Sequence, residues 1–132
     1  MWWLACLLLA PNPSQSDVAA WLGRYTAGPE TIAFRWDTEL GFVYHHGNMA
    51  IPVDGAWHVT VPEFYVRHRV TWLAERNALR LEERHDESQP WRHELRLLNK
   101  GGDRLEKVSL SGGPENGEVV VRTYDKVTEG VP

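Results

Sequence analysis

The sequence predicts an all-β fold, an antiparallel up-and-down barrel of about eight to ten strands entered through a short N-terminal helix. Three observations carry the prediction. From Ile32 onward apolar residues recur at every second position, the period of a strand with one buried face. Turn-forming clusters break the alternation at roughly 8–12-residue spacing. No stretch of helical periodicity separates the strands, which argues against a parallel α/β sheet.

The chain has 132 residues, 42% hydrophobic and 24% charged, the make-up of one globular domain. A domain of this length buries enough surface for a core without disulfide staples. Cys6 is the only cysteine, so the chain can form neither an intrachain disulfide nor a cysteine-based zinc site. The net charge is -4, and Arg67, Arg69, Arg76, Arg80 and Arg84 are matched by nearby Glu75, Glu82 and Glu83. Both features argue against a nucleic-acid partner.

Residues 1–16, "MWWLACLLLAPNPSQS", carry no charge, and Trp2 to Ala10 is a continuous apolar run. A bilayer span needs about twenty residues, so the run is too short to cross one. It suits the apolar region of a secretory signal. Residues 1–16 are therefore expected to be a signal peptide and linker, and 17–132 the barrel domain. The expected location is secreted or periplasmic, with no membrane span. No basic residue precedes the run and no clear cleavage site follows it, so an N-terminal strand or a mis-assigned start codon is the alternative.

In "SDVAAWLG", Ser16 or Asp17 can cap a helix and Gly23 can end it. Val18 to Leu22 then make one to two helical turns. Strands follow at Thr31–Trp36, Gly41–His46, Met49–Val53, Ala56–Val61, Val66–Ala74, Ala78–Arg84, Trp91–Leu97, Arg104–Leu110 and Glu118–Tyr124. Alternation puts Ile32, Phe34 and Trp36 on one face, and likewise Trp57, Val59 and Val61. It groups Val66, His68, Val70 and Trp72, and then Trp91, His93, Leu95 and Leu97. Turn signals stand at Asp54-Gly55, Arg76-Asn77, Glu87 to Pro90, Asn99 to Gly102, and Gly112 to Gly117. The final "TEGVP" is expected to be a loose tail.

The stretch "DVAAWLGRYTAG" resembles the "L-A-A-Y-x-G-x-Y" opening of small lipocalin-like barrel domains. Such domains are appended to secreted serine β-lactamase-like hydrolases. The matching positions are Val18, Ala19, Ala20, Trp21, Gly23 and Tyr25. The run "RHRVTWLAERNALRLEE", Arg67 to Glu83, resembles the family's "V-x-F" strand, charged turn and "L-x-L" strand. The hydrolase's S-x-x-K is absent. The resemblance thus implies a lipocalin-like fold and a non-catalytic accessory or binding role. The expected partner is a small apolar ligand or a periplasmic protein.

Two groups of residues are candidates for a site. Phe34, Trp36, Phe42, Tyr44, Trp57, Trp72 and Trp91 fall on the faces read as inward. They line a cavity for an apolar ligand, or they fill the interior as a packed core. The second group is His68, Glu83, His85 and His93, which a meander of three strands can bring together. It is a polar node for a ligand or a metal, or a set of core histidines bonded to neighbours. Ligand-binding residues are accordingly expected among Phe34, Trp36, Tyr44, Trp57, His68, Trp72, Trp91 and His93. No cofactor is assigned. A metal- or haem-binding barrel using His68 or His93 is the alternative. "EERHDE", Glu82 to Glu87, reads as a solvated hairpin tip rather than an acid–base pair. Ser109 and Ser111 show no nucleophile pattern, and "NKGGDR" and "SGGPENG" are turns, not phosphate loops. An enzyme is not expected.

Overall fold

Along Val66–Leu73 every second residue is buried and every other one is partly exposed, as a strand covering a core on one face requires. The same rule, repeated by other strands, builds a nearly closed antiparallel up-and-down barrel. The computed structural model describes residues 12–85, 90–98, 102–111 and 120–127. The expected signal segment through residue 11 lies outside these residues. So do positions 86–89, 99–101 and 112–119 of the expected turns, and the tail from 128.

Ten strands form one sheet: β1 Gly23–Ala27, β2 Glu30–Asp37, β3 Gly41–His46, β4 Met49–Pro52, β5 His58–Val61, β6 Val66–Leu73, β7 Ala78–His85, β8 Trp91–Leu97, β9 Arg104–Ser111 and β10 Val121–Lys126. The spatial order is β4-β3-β2-β1-β10-β9-β8-β7-β6-β5. Every neighbouring pair is antiparallel. The sheet's two edges, β4 and β5, are consecutive in sequence. They are brought side by side, with the Gly55 amide donating to the Val70 carbonyl at 3.0 Å. No described helix is long and apolar enough to cross a membrane.

Four expectations need correction. The N-terminal helix is only a three-residue 3-10 turn, Ala19–Trp21, with no side-chain cap. The Ser14 and Asp17 side chains instead bond each other's backbone amides at 3.2 and 3.0 Å, closing a turn that precedes it. "GRYTA", given no strand in the sequence reading, is β1, between β2 and β10. In β5 the inward face is inverted, because His58 pairs with inward His68 while Val59 pairs with outward Arg67. Trp57 and Val59 therefore belong to the outer side. Finally, Glu82 to His85 continue β7 instead of forming a solvated tip, and Glu82 is only 3% exposed.

The barrel has two unlike ends. One is closed by the N-terminal segment, whose Val18 and Trp21 are fully buried. The Trp21 ring meets Phe34, Phe42 and Trp72 edge-on, with centroids 5.3, 6.3 and 6.1 Å away, an arrangement aromatic rings favour. Its indole N–H donates to Asn77 in the β6–β7 turn at 3.2 Å. The Tyr25 hydroxyl donates to the carbonyls of Trp21 and Gly102 at 3.0 and 2.9 Å. The aromatic half of the interior is thus a packed core, in which burying each large side chain contributes about 1.5–3 kcal/mol. The other end, where β1–β2, β3–β4 and β5–β6 turn, is polar inside.

Candidate functional site

The polar end is built by the same alternation that builds the core. In β6 and β7, His68 stands opposite Glu83 and Val66 opposite His85, on the face that also carries Val70, Leu79 and Leu81. His93 of β8 pairs with Leu81 of β7. In β9, Leu105 is buried, and Lys107 and Ser109 follow it at the same parity. Glu30 precedes Ile32 on β2, His46 follows Tyr44 on β3, and Arg122 precedes Tyr124 on β10. Seven strands therefore send polar groups to one end of the interior.

Two hydrogen-bonded groups form there. In the first, His68, only 4% exposed, donates from Nε2 to Glu83 Oε1 at 2.9 Å. Its Nδ1 lies 2.6 Å from the Thr60 hydroxyl. The second Glu83 oxygen accepts from His85 Nε2. The hydrogen bond from His68 chiefly holds the Glu83 carboxyl far below the usual range, at about 2. Burial opposes this and His85 assists it. In the second group, Glu30 accepts from the Tyr124 hydroxyl and pairs with Arg122 at 3.0 Å. His46 lies 3.7 Å away, its ring stacked on Tyr44 at 6.4 Å. Burial alone would raise the Glu30 pKa, but the Tyr124 bond and the fields of Lys107, Arg122 and His46 hold it low.

Lys107 and His93 belong to neither group. His93 Nδ1 is 3.2 Å from the Ser109 hydroxyl, and burial, with the nearby Lys107 charge, lowers its pKa. Burial also lowers the Lys107 pKa, while the carboxylates of Glu30 and Glu83 work in the opposite direction. Among the described residues Lys107 forms no hydrogen bond or ion pair.

The predicted site residues separate. Tyr44, His68 and His93 border the polar end. Trp91, on the same strand face as His93, lies at the rim and is 44% exposed, so its expected burial is corrected: it pairs with Glu83 beyond the last apolar layer. Phe34 and Trp72 belong to the aromatic core. Trp36 is at the capped end, half-buried, lining a small groove with Leu22, Gly23 and Arg35. Trp57 is outside the barrel, where the Arg69 guanidinium covers its ring at 4.5 Å and also grips Glu82 in two bonds of 2.9 and 3.1 Å. The sequence reading missed Glu30, Thr60, Lys107 and Tyr124. Three of them lie two residues from an inward apolar or polar position already identified or readable by parity, Ile32, Leu105 and Arg122; Thr60 was hidden by the inverted face of β5.

Chemically the polar end offers two carboxylates, both engaged, imidazoles and one amine held away from ion pairs. Among the described residues, no three His, Cys, Asp or Glu side chains are arranged to hold a metal ion. Beside it, Val61, Glu63, Phe64, Tyr65, Val66 and His85 line a groove of about 610 Å³. Phe64 and Tyr65 are 73% and 50% exposed, and Tyr65 has a left-handed backbone at φ 51°, a costly conformation for a bulky side chain. Compared with known proteins, the chain matches no protein-family model, no curated protein and no solved structure.

Proposed function

We propose that the chain is a non-catalytic binding barrel that takes a small molecule at its polar end. The observation that carries this reading is the division of the interior. One half is packed with rings, whereas the other holds buried His68 and partly exposed polar groups beside exposed Phe64, Tyr65 and Trp91. Small-ligand sites combine an apolar surface with a few placed polar groups. The ligand in this reading has an apolar body laid on the rim aromatics and a polar end turned toward Tyr44, His68 and His93. The packed aromatic half speaks against a long apolar molecule running the length of the barrel. The uncharged apolar N-terminus supports an exported location, and the resemblance of Val18 to Tyr25 to accessory barrels supports a non-catalytic role.

Tryptophan fluorescence tests the proposal, because Trp91 is at the rim and Trp21 and Trp72 are in the core. A ligand of about 20 heavy atoms gaining about 0.3 kcal/mol per atom binds with a Kd of about 40 μM. The expected result, in a panel of fatty acids, retinoids and sterols, is saturable quenching near that concentration by at least one member. Quenching is expected to be largely lost in Trp91→Phe while calorimetry still detects binding. A flat response from every member, in both fluorescence and calorimetry, rejects the reading.

A further inference from the structure

We infer that Lys107 is an amine nucleophile that captures the carbonyl group of an aldehyde ligand as an imine at the polar end of the barrel. This rests on the binding reading above and names the group that anchors the ligand. Lys107 stands on the inner face of β9, opposite Leu95 of β8 and Arg122 of β10. Leu95 and the preceding inward residue, Leu105, are fully buried. The charged and titratable groups facing it are Glu30 from β2, Glu83 from β7, His93 from β8 and Arg122 from β10. Both carboxylates are already engaged, Glu83 by His68 and His85 and Glu30 by Tyr124 and Arg122.

An ammonium at such a position lacks the close partner that offsets desolvation. Burial accordingly shifts Lys107 toward the neutral amine, and a neutral amine has the lone pair that attacks a carbonyl. An anionic ligand meets Glu30 and Glu83 in the same space; a neutral aldehyde meets no like charge. The Lys107 nitrogen forms a bond to the carbonyl carbon, and a proton passes from nitrogen to oxygen to give a carbinolamine. The C–O bond then breaks, water leaves, and a C=N bond remains. Hydrolysis reverses each step.

The chain has three lysines, Lys100, Lys107 and Lys126, which makes the site easy to map. Lys126 is a useful contrast, since its Nζ donates to the Ala20 carbonyl at 3.3 Å and lies 5.3 Å from the Tyr25 ring centre. The test treats the full chain with butanal and cyanoborohydride, which reduces the imine to a stable secondary amine. Alkylation at each lysine is then followed by peptide mass spectrometry from pH 6 to 9. At pH 7, Lys107 is expected to react faster than Nα-acetyl-lysine in the same solution, because burial leaves more of it as the neutral amine. Glu83→Gln, which removes a field that favours the ammonium, is expected to raise the rate further. Lys107→Arg is expected to abolish the adduct at that peptide. Reaction at Lys107 no faster than the free amine at every pH overturns the inference. If Trp91 still responds to ligand in that protein, the binding reading stands without it.

Discussion

At the scale of single residues, the determining fact is how each buried charge is answered. Glu82 and Glu94 sit on the outer face beneath arginines, Glu82 under Arg69 and Arg92 and Glu94 under Arg76 and Arg96. Glu83 is instead answered from inside, by histidines. Its carboxyl titrates near 2, against 4.5 for an ordinary glutamate. A group whose folded pKa is depressed contributes stability that is complete above the unfolded value and disappears as pH falls through the folded one. Glu83 should therefore stabilise the barrel above about pH 4.5 and lose that contribution down to about pH 2. In urea titrations across this range, the wild-type midpoint is expected to fall more steeply than that of Glu83→Gln. Parallel profiles would show that the His68–Glu83 bond has no part in acid stability. Three members of the expected node, His68, Glu83 and His85, were legible in the sequence because they obey strand parity; the fourth, His93, obeys it too but bonds Ser109 instead. Lys107 obeys it equally, two residues beyond Leu105, but a lysine in a polar-rich strand reads as solvated until the pairing with Leu95 and Arg122 is known.

At the scale of elements, the N-terminal segment acts as a plug whose fit depends on backbone approach. Gly102 has φ +71°, and a Cβ placed there would collide with the Ala20 carbonyl oxygen. The Gly102 carbonyl also accepts the Tyr25 hydroxyl. Gly102→Ala therefore meets both a disfavoured backbone conformation and a rigid backbone neighbour. It is expected to destabilise the fold by about 2 kcal/mol, read as a lowered denaturation midpoint with an unchanged slope. Stability equal to wild type would mean that the Ala19–Trp21 turn is not seated against the β8–β9 connection. This coupling was invisible in the sequence, where "NKGGDR" reads only as a turn and Val18 to Leu22 as a helix. The segment becomes a 3-10 turn because Trp21 and Val18 must both reach the core within three residues, and no side chain caps a longer helix. The inverted face of β5 has a similar origin. The sequence "AWHVTV" carries aromatic or β-branched residues at both parities, so pattern alone does not fix the inward set. Pairing with β6 fixes it, through the His58–His68 register and a shift between Val59 and Val61.

At the scale of the whole molecule, the barrel is a linear order of ten strands whose ends meet without full pairing. β4 is hydrogen-bonded along its length only to β3, and β5 only to β6. Each is four residues long, and Pro52 ends β4 while the register shift interrupts β5. These features discourage edge pairing with a second chain, at the cost of a seam that opens more readily than the rest. β7 and β8, in contrast, are paired on both sides. Local opening draws on regions with few backbone partners, so hydrogen exchange should be ordered in space. Amides of β4 and β5 are expected to exchange fastest, that of Gly55 more slowly than its loop neighbours because it bonds Val70, and those of β7 and β8 slowest. The groove lined by Val61, Phe64, Tyr65 and His85 adjoins the end of β5, so opening of this seam would be the route for the proposed ligand. A ligand held there should slow exchange in β5 and β6 before it slows exchange in β1 or β10. Uniform protection across β4, β5 and β7 would mean that the two edges are joined by backbone bonds, and that entry occurs elsewhere on the rim.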